Sequence, residues 1–236
     1  MLELLTKTPP ASPLPTRSDW EAGPLEPELA PGEVHVWRAA LERPTPDLLE
    51  TLSPAEWVRA RRFHQESDRQ RFIAAHGLTR CILARYLAID PADVEFGAGQ
   101  HGKPFLARSR TGIQFNLSHS DSLMLLAVAR DREVGVDVEY MRDNVPFESL
   151  AEHYFEPSDA WTVRTAPVSE RAGRFYQMWT NTEARLKALG TGFLAPDLSI
   201  TPERWSLLTL HPAAGYAATL AVEGSGFDLH CWSWLK

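Results

Sequence analysis

Val134-Gly-Val-Asp-Val-Glu-Tyr140 is a stretch that admits few structures. β-branched residues at every second position favour a strand, and a strand sends successive side chains to opposite faces. Val134, Val136 and Val138 then face one way, and Gly135, Asp137 and Glu139 the other. A solvent-facing edge would account for the alternation by itself. Two neighbouring like charges on one face, however, repel each other unless a cation relieves them. Oxygen ligands of this kind suit Mg²⁺, which takes one or two carboxylates together with waters and substrate phosphates.

Some forty residues further on stands Trp179-Thr-Asn-Thr-Glu-Ala-Arg-Leu-Lys-Ala-Leu-Gly190. As a helix it stacks Trp179, Glu183 and Lys187 on one face, because residues four apart lie nearly above one another. Taken alone, Glu183 and Lys187 read as a solvated pair worth about 0.3 kcal/mol, and Gly190 as the helix stop.

The 236 residues can form one large domain or two smaller ones, and 44% hydrophobic with 23% charged residues describes a globular chain. A net charge of −7 argues against a general binder of nucleic acid or of anionic membranes, leaving local basic clusters to hold any anionic ligand. Cys81 and Cys231 lie far apart with no metal-type spacing, so neither zinc nor a disulfide framework is expected, and a reducing cytoplasm is. The opening residues lack the pattern of a signal peptide. No run approaches the ~20 apolar residues of a membrane helix.

Residues 6 to 33 hold Pro9, Pro10, Pro13, Pro15, Pro24, Pro27 and Pro31, so 1–33 is expected to be an extended or disordered arm. Folding should begin at Glu33-Val-His-Val-Trp-Arg38, a half-buried strand by its alternation. Ser53-Pro-Ala-Glu56 reads as a capped helix start, and a second helix is predicted from about Asp68 to Leu87. Arg59, Arg61, Arg62, Arg69, Arg71 and Arg80 make this the most basic part of an acidic chain; on one side, guanidinium forks suit phosphate oxygens. Lys103 sits in a glycine- and proline-built turn. The strand Ile113–Leu117 runs into Ser118-His119-Ser120-Asp121, whose hydroxyls and exposed turn favour ligand contact. Phe147, Leu150, His153, Tyr154 and Phe155 form an amphipathic patch, suited equally to a partner or to burial. Leu194 to Ile200 and Trp205 to Thr209 lead into alternating strands at Tyr216 to Val222 and Leu229 to Trp234.

Together, Gly135-Val-Asp137-Val-Glu139 and Trp179-x-x-x-Glu183-Ala-x-x-Lys187-Ala-x-Gly190 resemble the paired signatures of the 4′-phosphopantetheinyl transferase superfamily. Phe115-Asn-Leu-Ser118-His119-Ser120, Gly102-Lys103-Pro104 and the segment Arg61-Arg62-Phe63 to Arg71 are similar, in the same order, to its longer, Sfp-like class. The resemblance spans roughly residues 34 to 222. It implies an α/β (α+β) fold of two similar halves, 34–131 and 132–236, related by a pseudo-twofold with coenzyme A between them. It further implies that Asp137, Glu139 and Glu183 bind Mg²⁺, or Mn²⁺, with the coenzyme A pyrophosphate. Lys187 would contact the phosphate, and Arg59, Arg71, Lys103, Ser118 and His119 would hold the nucleotide phosphates. Glu183 or a metal-bound water would deprotonate a serine of an acyl or peptidyl carrier protein, which takes the pantetheine arm. A monomer holding both halves would suffice, with no nucleic acid or membrane involved. The chain departs from the family pattern at Thr182, where a lysine is usual, and at Glu56, where related proteins can carry one. Weaker coenzyme A binding or tolerance of dephospho-coenzyme A would follow, and a catalytically silent homologue that binds carrier or coenzyme A is the competing expectation.

Overall fold

The computed structural model describes residues 16–99, 101–108, 111–191 and 204–235; the expected segment Leu194 to Ile200 and residues 1–15 of the arm lie outside them. Two short strands, β1 (Thr16–Arg17) and β2 (Glu21–Ala22), precede β3 (Glu33–Ala40), α1 (Pro46–Thr51), α2 (Pro54–Ala60) and α3 (Glu66–Leu87). Next come β4 (Phe96–Ala98), β5 (Pro104–Leu106), β6 (Ile113–Ser120) and β7 (Leu123–Arg130). The order of strand, helices and antiparallel strands then recurs: β8 (Val134–Tyr140), α4 (Phe147–Tyr154), α5 (Pro157–Thr165), α6 (Val168–Leu189), β9 (Trp205–Leu210) and β10 (Tyr216–Glu223). β11 (Asp228–Ser233) closes the described chain. α3 and α6 are both 22 residues long.

Local sequence explains the element boundaries. Ser53 accepts from the Glu56 backbone while Glu56 reaches back to the Ser53 N–H, a complete capping box with Pro54 in the first turn. α3 starts slightly before the predicted Asp68, and β4 begins only at Phe96, because Pro91–Asp93 coils into a short 3₁₀ turn capped by Asp90. Gly190, at φ 73°, ends α6 in the left-handed region that glycine adopts without strain.

Two sheets carry the fold, ordered β1-β9-β10-β8 and β2-β11-β3-β7-β6. β7 is apolar on both faces because both are covered. Met124, Leu126 and Val128 pack with Trp37, Leu78 and Ile82 under α3. Leu125, Ala127 and Ala129 join Val134, Val136, Val138, Leu220 and Val222 in the core between the sheets. Among the described residues strand pairing crosses the expected boundary at 131/132 three times, β1 with β9, β2 with β11 and β3 with β11, the last parallel with His230 opposite His35. Part of the proline-rich arm is extended, as β1 and β2 add to the edges of the two sheets.

Candidate active site at the crossing of β8 and α6

β8 places its valines in the central core, as the alternation demanded, so Gly135, Asp137 and Glu139 face α6. The helix crosses β8 at Gly135. A Cβ there would lie 2.1 Å from the Ala184 carbonyl oxygen and 2.4 Å from the Ala188 nitrogen. Only glycine admits so close a backbone approach, and the approach sets Glu183 and Lys187 over the carboxylates.

Asp137 is 2% exposed. Its Oδ1 takes the Lys187 ammonium at 2.6 Å and the Ser118 hydroxyl at 2.9 Å, while its Oδ2 is buried without a hydrogen-bond partner. A buried carboxylate oxygen left unmatched is costly. Glu139 and Glu183 are each pushed above the ordinary carboxylate range, first by burial; the charge of Asp137 adds to both, and Glu139 also acts on Glu183. A donor set of three mutually repelling carboxylates, one with an unmatched buried oxygen, fits a hard divalent cation. The set is open rather than closed: among the described residues, only Glu33, His35 and His230 bring three such ligand atoms within 4.8 Å of one another. Lys187 forms its ion pair with Asp137, so the simple surface pair with Glu183 is not its arrangement.

β6 supplies a polar ladder along β8. Asn116 Oδ1, Ser118 Oγ and Ser120 Oγ accept from the backbone N–H groups of Val136, Val138 and Tyr140 at 2.9, 3.3 and 3.1 Å. Ser120 Oγ also donates to Glu139 Oε2 at 2.8 Å. Ser118 accepts from Lys187 at 2.8 Å, so it orients Asp137 and Lys187 rather than standing free. Behind the helix, Thr219 donates to Asn181 at 2.7 Å and accepts from Gln177 at 3.1 Å, fixing α6 against β10.

The cationic residues fall into two groups. His119 is shifted down by lost hydration and by the charges of His76, Lys187, Arg59 and Arg71. Because this residue is exposed overall, the cationic neighbours carry more weight than burial. Arg59 lies over the Phe72 ring at 5.2 Å, and His76 packs on that same ring at 4.0 Å. Arg71 donates to Asp121 at 3.1 Å and Asp68 at 3.3 Å. Lys103 stands apart: its Nζ donates to Glu133 at 2.5 Å, to the Ala188 carbonyl at 2.6 Å and to the Val134 carbonyl at 3.4 Å. An ammonium has three N–H groups, and all three are spent tying the end of α6 to the start of β8.

His76 belongs to this cluster and was missed in the sequence, where nothing separates it from other helical histidines. Glu56 does not face the cluster as a free charge. It binds His76 at 2.9 Å and Arg80 at 2.8 Å, and hydrogen bonds from His76 and Ser53 with the Arg80 charge outweigh burial to hold it at about 2. Thr182 donates to the Met178 carbonyl at 3.1 Å within its own helix. The aromatic patch near α4 is largely closed: Phe147 and Phe155 pack against Phe175 and Trp179, while Tyr154 stays exposed. No helix among the described residues is long and apolar enough to cross a membrane.

Sequence comparison identifies the family. A family profile described as "4′-phosphopantetheinyl transferase, N-terminal" matches residues 37–131, and one described as "4′-phosphopantetheinyl transferase superfamily" matches residues 133–233. The 4′-phosphopantetheinyl transferase HetI of Nostoc sp. is 37% identical over 230 residues, covering 90% of this chain and 97% of the relative. A putative 4′-phosphopantetheinyl transferase of Synechocystis sp. is 34% identical over 71% of this chain and 69% of its own length. A 4′-phosphopantetheinyl transferase of Bacillus subtilis is 26% identical over 63% of this chain and 65% of its own. With both halves matched and a relative aligned almost end to end, the chain belongs to the 4′-phosphopantetheinyl transferase superfamily.

Proposed function

We propose that this member of the superfamily transfers the 4′-phosphopantetheine arm of coenzyme A to a serine of an acyl or peptidyl carrier protein, giving holo-carrier and 3′,5′-ADP. The observation that carries the reading is the unmatched buried oxygen of Asp137, set with Glu139 and Glu183 at the β8–α6 crossing. Asp137, Glu139 and Glu183 would hold Mg²⁺, or Mn²⁺, which supplies charge neutralisation to the pyrophosphate.

The chain's own residues then have distinct tasks. Glu183, its carboxyl raised by burial and by its acidic neighbours, takes the proton of the carrier serine. The serine oxygen attacks the β-phosphorus as the bond from that phosphorus to the bridging oxygen breaks. Lys187, paired with Asp137 here, turns to the charge that develops on the departing 3′,5′-ADP. Arg59, Arg71 and His119 orient the nucleotide phosphates, and Ser118 reaches them only by giving up one of its present partners. Lys103 joins them only by exchanging one of its three contacts for a ligand oxygen. The reading assigns 1–33 to an arm and 34–131 and 132–236 to the two halves flanking coenzyme A, in a cytoplasmic monomer. The recurring element order and the family matches, which change over near residue 132, support it.

Incubation with apo carrier, coenzyme A and Mg²⁺, followed by mass spectrometry of the carrier, tests the proposal. A gain of one phosphopantetheine arm is expected, abolished by Asp137→Ala and by Glu183→Ala. No gain with any of several carriers would favour a silent homologue, for which Thr182, committed to its own helix, is the supporting feature. The lack of charge at Thr182, and of a lysine at Glu56, leads us to expect turnover of dephospho-coenzyme A as well. A strong preference for the 3′-phosphorylated form would sink that expectation.

A further inference from the structure

A second cluster of ligand-type side chains lies on the α3 face of the five-stranded sheet, opposite the face that carries Ser118 and Ser120. His35 alternates with Trp37 along β3, and Trp37 packs under α3. Glu33 stands two residues before His35 on the same strand face. His230 is the register partner of His35 on the parallel strand β11. Two imidazoles and a carboxylate thus converge from two adjacent strands, their ligand atoms all within 4.8 Å.

One ligand edge already has the length of a tetrahedral site. Ligand atoms about 2.0–2.1 Å from a zinc ion stand about 3.3 Å from one another. His35 Nε2 lies 3.3 Å from Glu33 Oε2, and His230 Nε2 lies 3.9 Å from Glu33 Oε1. The surroundings hold the ligands in place. His35 is 1% exposed and packed against Trp232, ring centroids 4.2 Å apart. Tyr86 Oη sits 2.8 Å from His35 Nδ1. It already accepts from Trp37 Nε1 at 2.8 Å, and its second lone pair can take Nδ1–H, which leaves the Nε2 lone pair directed at the cluster. The Ala30 N–H holds Glu33 Oε2 at 2.8 Å. His230 is half-exposed, so a fourth position opens to water.

We propose that Glu33, His35 and His230 form a binding site for a transition-metal ion of zinc type, with solvent as fourth ligand, joining β11 to β3. Imidazole nitrogen with a single carboxylate selects such an ion over Mg²⁺, which prefers an all-oxygen octahedron.

Co²⁺ titrated into the full chain in the presence of excess Mg²⁺ tests the site. A tetrahedral His₂-carboxylate site gives intense visible d–d absorption, whereas an octahedral oxygen site gives only weak bands. One equivalent should develop the intense spectrum, Zn²⁺ should bleach it, and Zn²⁺ should raise the melting temperature of the Mg²⁺-loaded protein. His230→Ala, at a half-exposed position outside the carboxylate site, should remove the spectrum and the Zn²⁺-dependent stabilisation. The variant should lower Zn²⁺ affinity by at least about tenfold, with Mg²⁺ binding unchanged. Absence of the intense bands, or their persistence in His230→Ala, would overturn the proposal.

Discussion

At the scale of single residues, the site stores electrostatic cost that the fold does not need. Burial and mutual repulsion raise Glu139 and Glu183. Raised carboxyls bind protons more readily folded than unfolded, so they destabilise the protein at neutral pH and the penalty fades as pH falls. Glu139→Gln should therefore raise the urea midpoint of the metal-free protein while eliminating transfer, a pattern typical of functional residues. A lower midpoint would mean that the carboxylate serves the fold. Glu56 has the opposite sign. Its carboxyl, lowered from 4.5 to about 2, contributes stability that is complete above about 4.5 and lost as pH falls through that window. Denaturation series at decreasing pH should show this loss, and Glu56→Gln should flatten it. The sequence showed Glu56 as a capping residue and as a departure from the family. It could not show that the same carboxylate is committed to Arg80 and His76, because those partners lie on a different helix.

At the scale of elements, the valine alternation and the Trp179–Gly190 stripe were legible because each follows from its own backbone period. Their juxtaposition was not. Gly135 reads in sequence as a gap before an acidic pair, and only the structure shows it as the point where α6 touches β8. Lys103 likewise looked like a turn lysine aimed at a ligand, yet it closes the last turn of a helix some eighty residues later in the chain. Two glycines make the test. Gly135→Ala forces the Ala184 carbonyl away from a Cβ that would lie 2.1 Å from it, and should cost about 1–3 kcal/mol with a steep loss of transfer activity. Gly173→Ala, in α6 with nothing within 4 Å of the new methyl, should gain up to about 1 kcal/mol. Equal urea midpoints for the two variants would remove the close crossing as an explanation for Gly135.

At the scale of the whole molecule, the two sheets are joined by an apolar core and by a polar seam. Val34, Val36 and Leu125 meet Val136, Val138 and Leu220 between the sheets. Along the seam, β6 offers side-chain oxygens where a neighbouring strand would offer carbonyls. Asn116→Leu leaves the buried Val136 N–H without its acceptor and should cost about 1–3 kcal/mol. With a shared core, unfolding followed by tryptophan fluorescence and by far-ultraviolet circular dichroism should give coincident single transitions. Separate transitions would show that the halves are independent. The strands were readable from their alternation and the fold class from the family resemblance, but the seam was not: Ser118 and Ser120 look like ligand-binding residues, and with Asn116 their side-chain oxygens hold the sheets together.

The pairing of β11 with β3 has a consequence for how the chain is made. Arg38 and Ser233 hydrogen-bond across 195 residues of sequence. A ribosome therefore releases β3 long before the strand that covers its flank exists. Until β11 arrives, β3 offers a line of unpaired N–H and C=O groups beside Val34, Val36 and Trp37, the kind of strand edge on which other chains add. Nascent chains stopped short of residue 228 should be aggregation-prone and should depend on chaperone cover, while full-length chains should not.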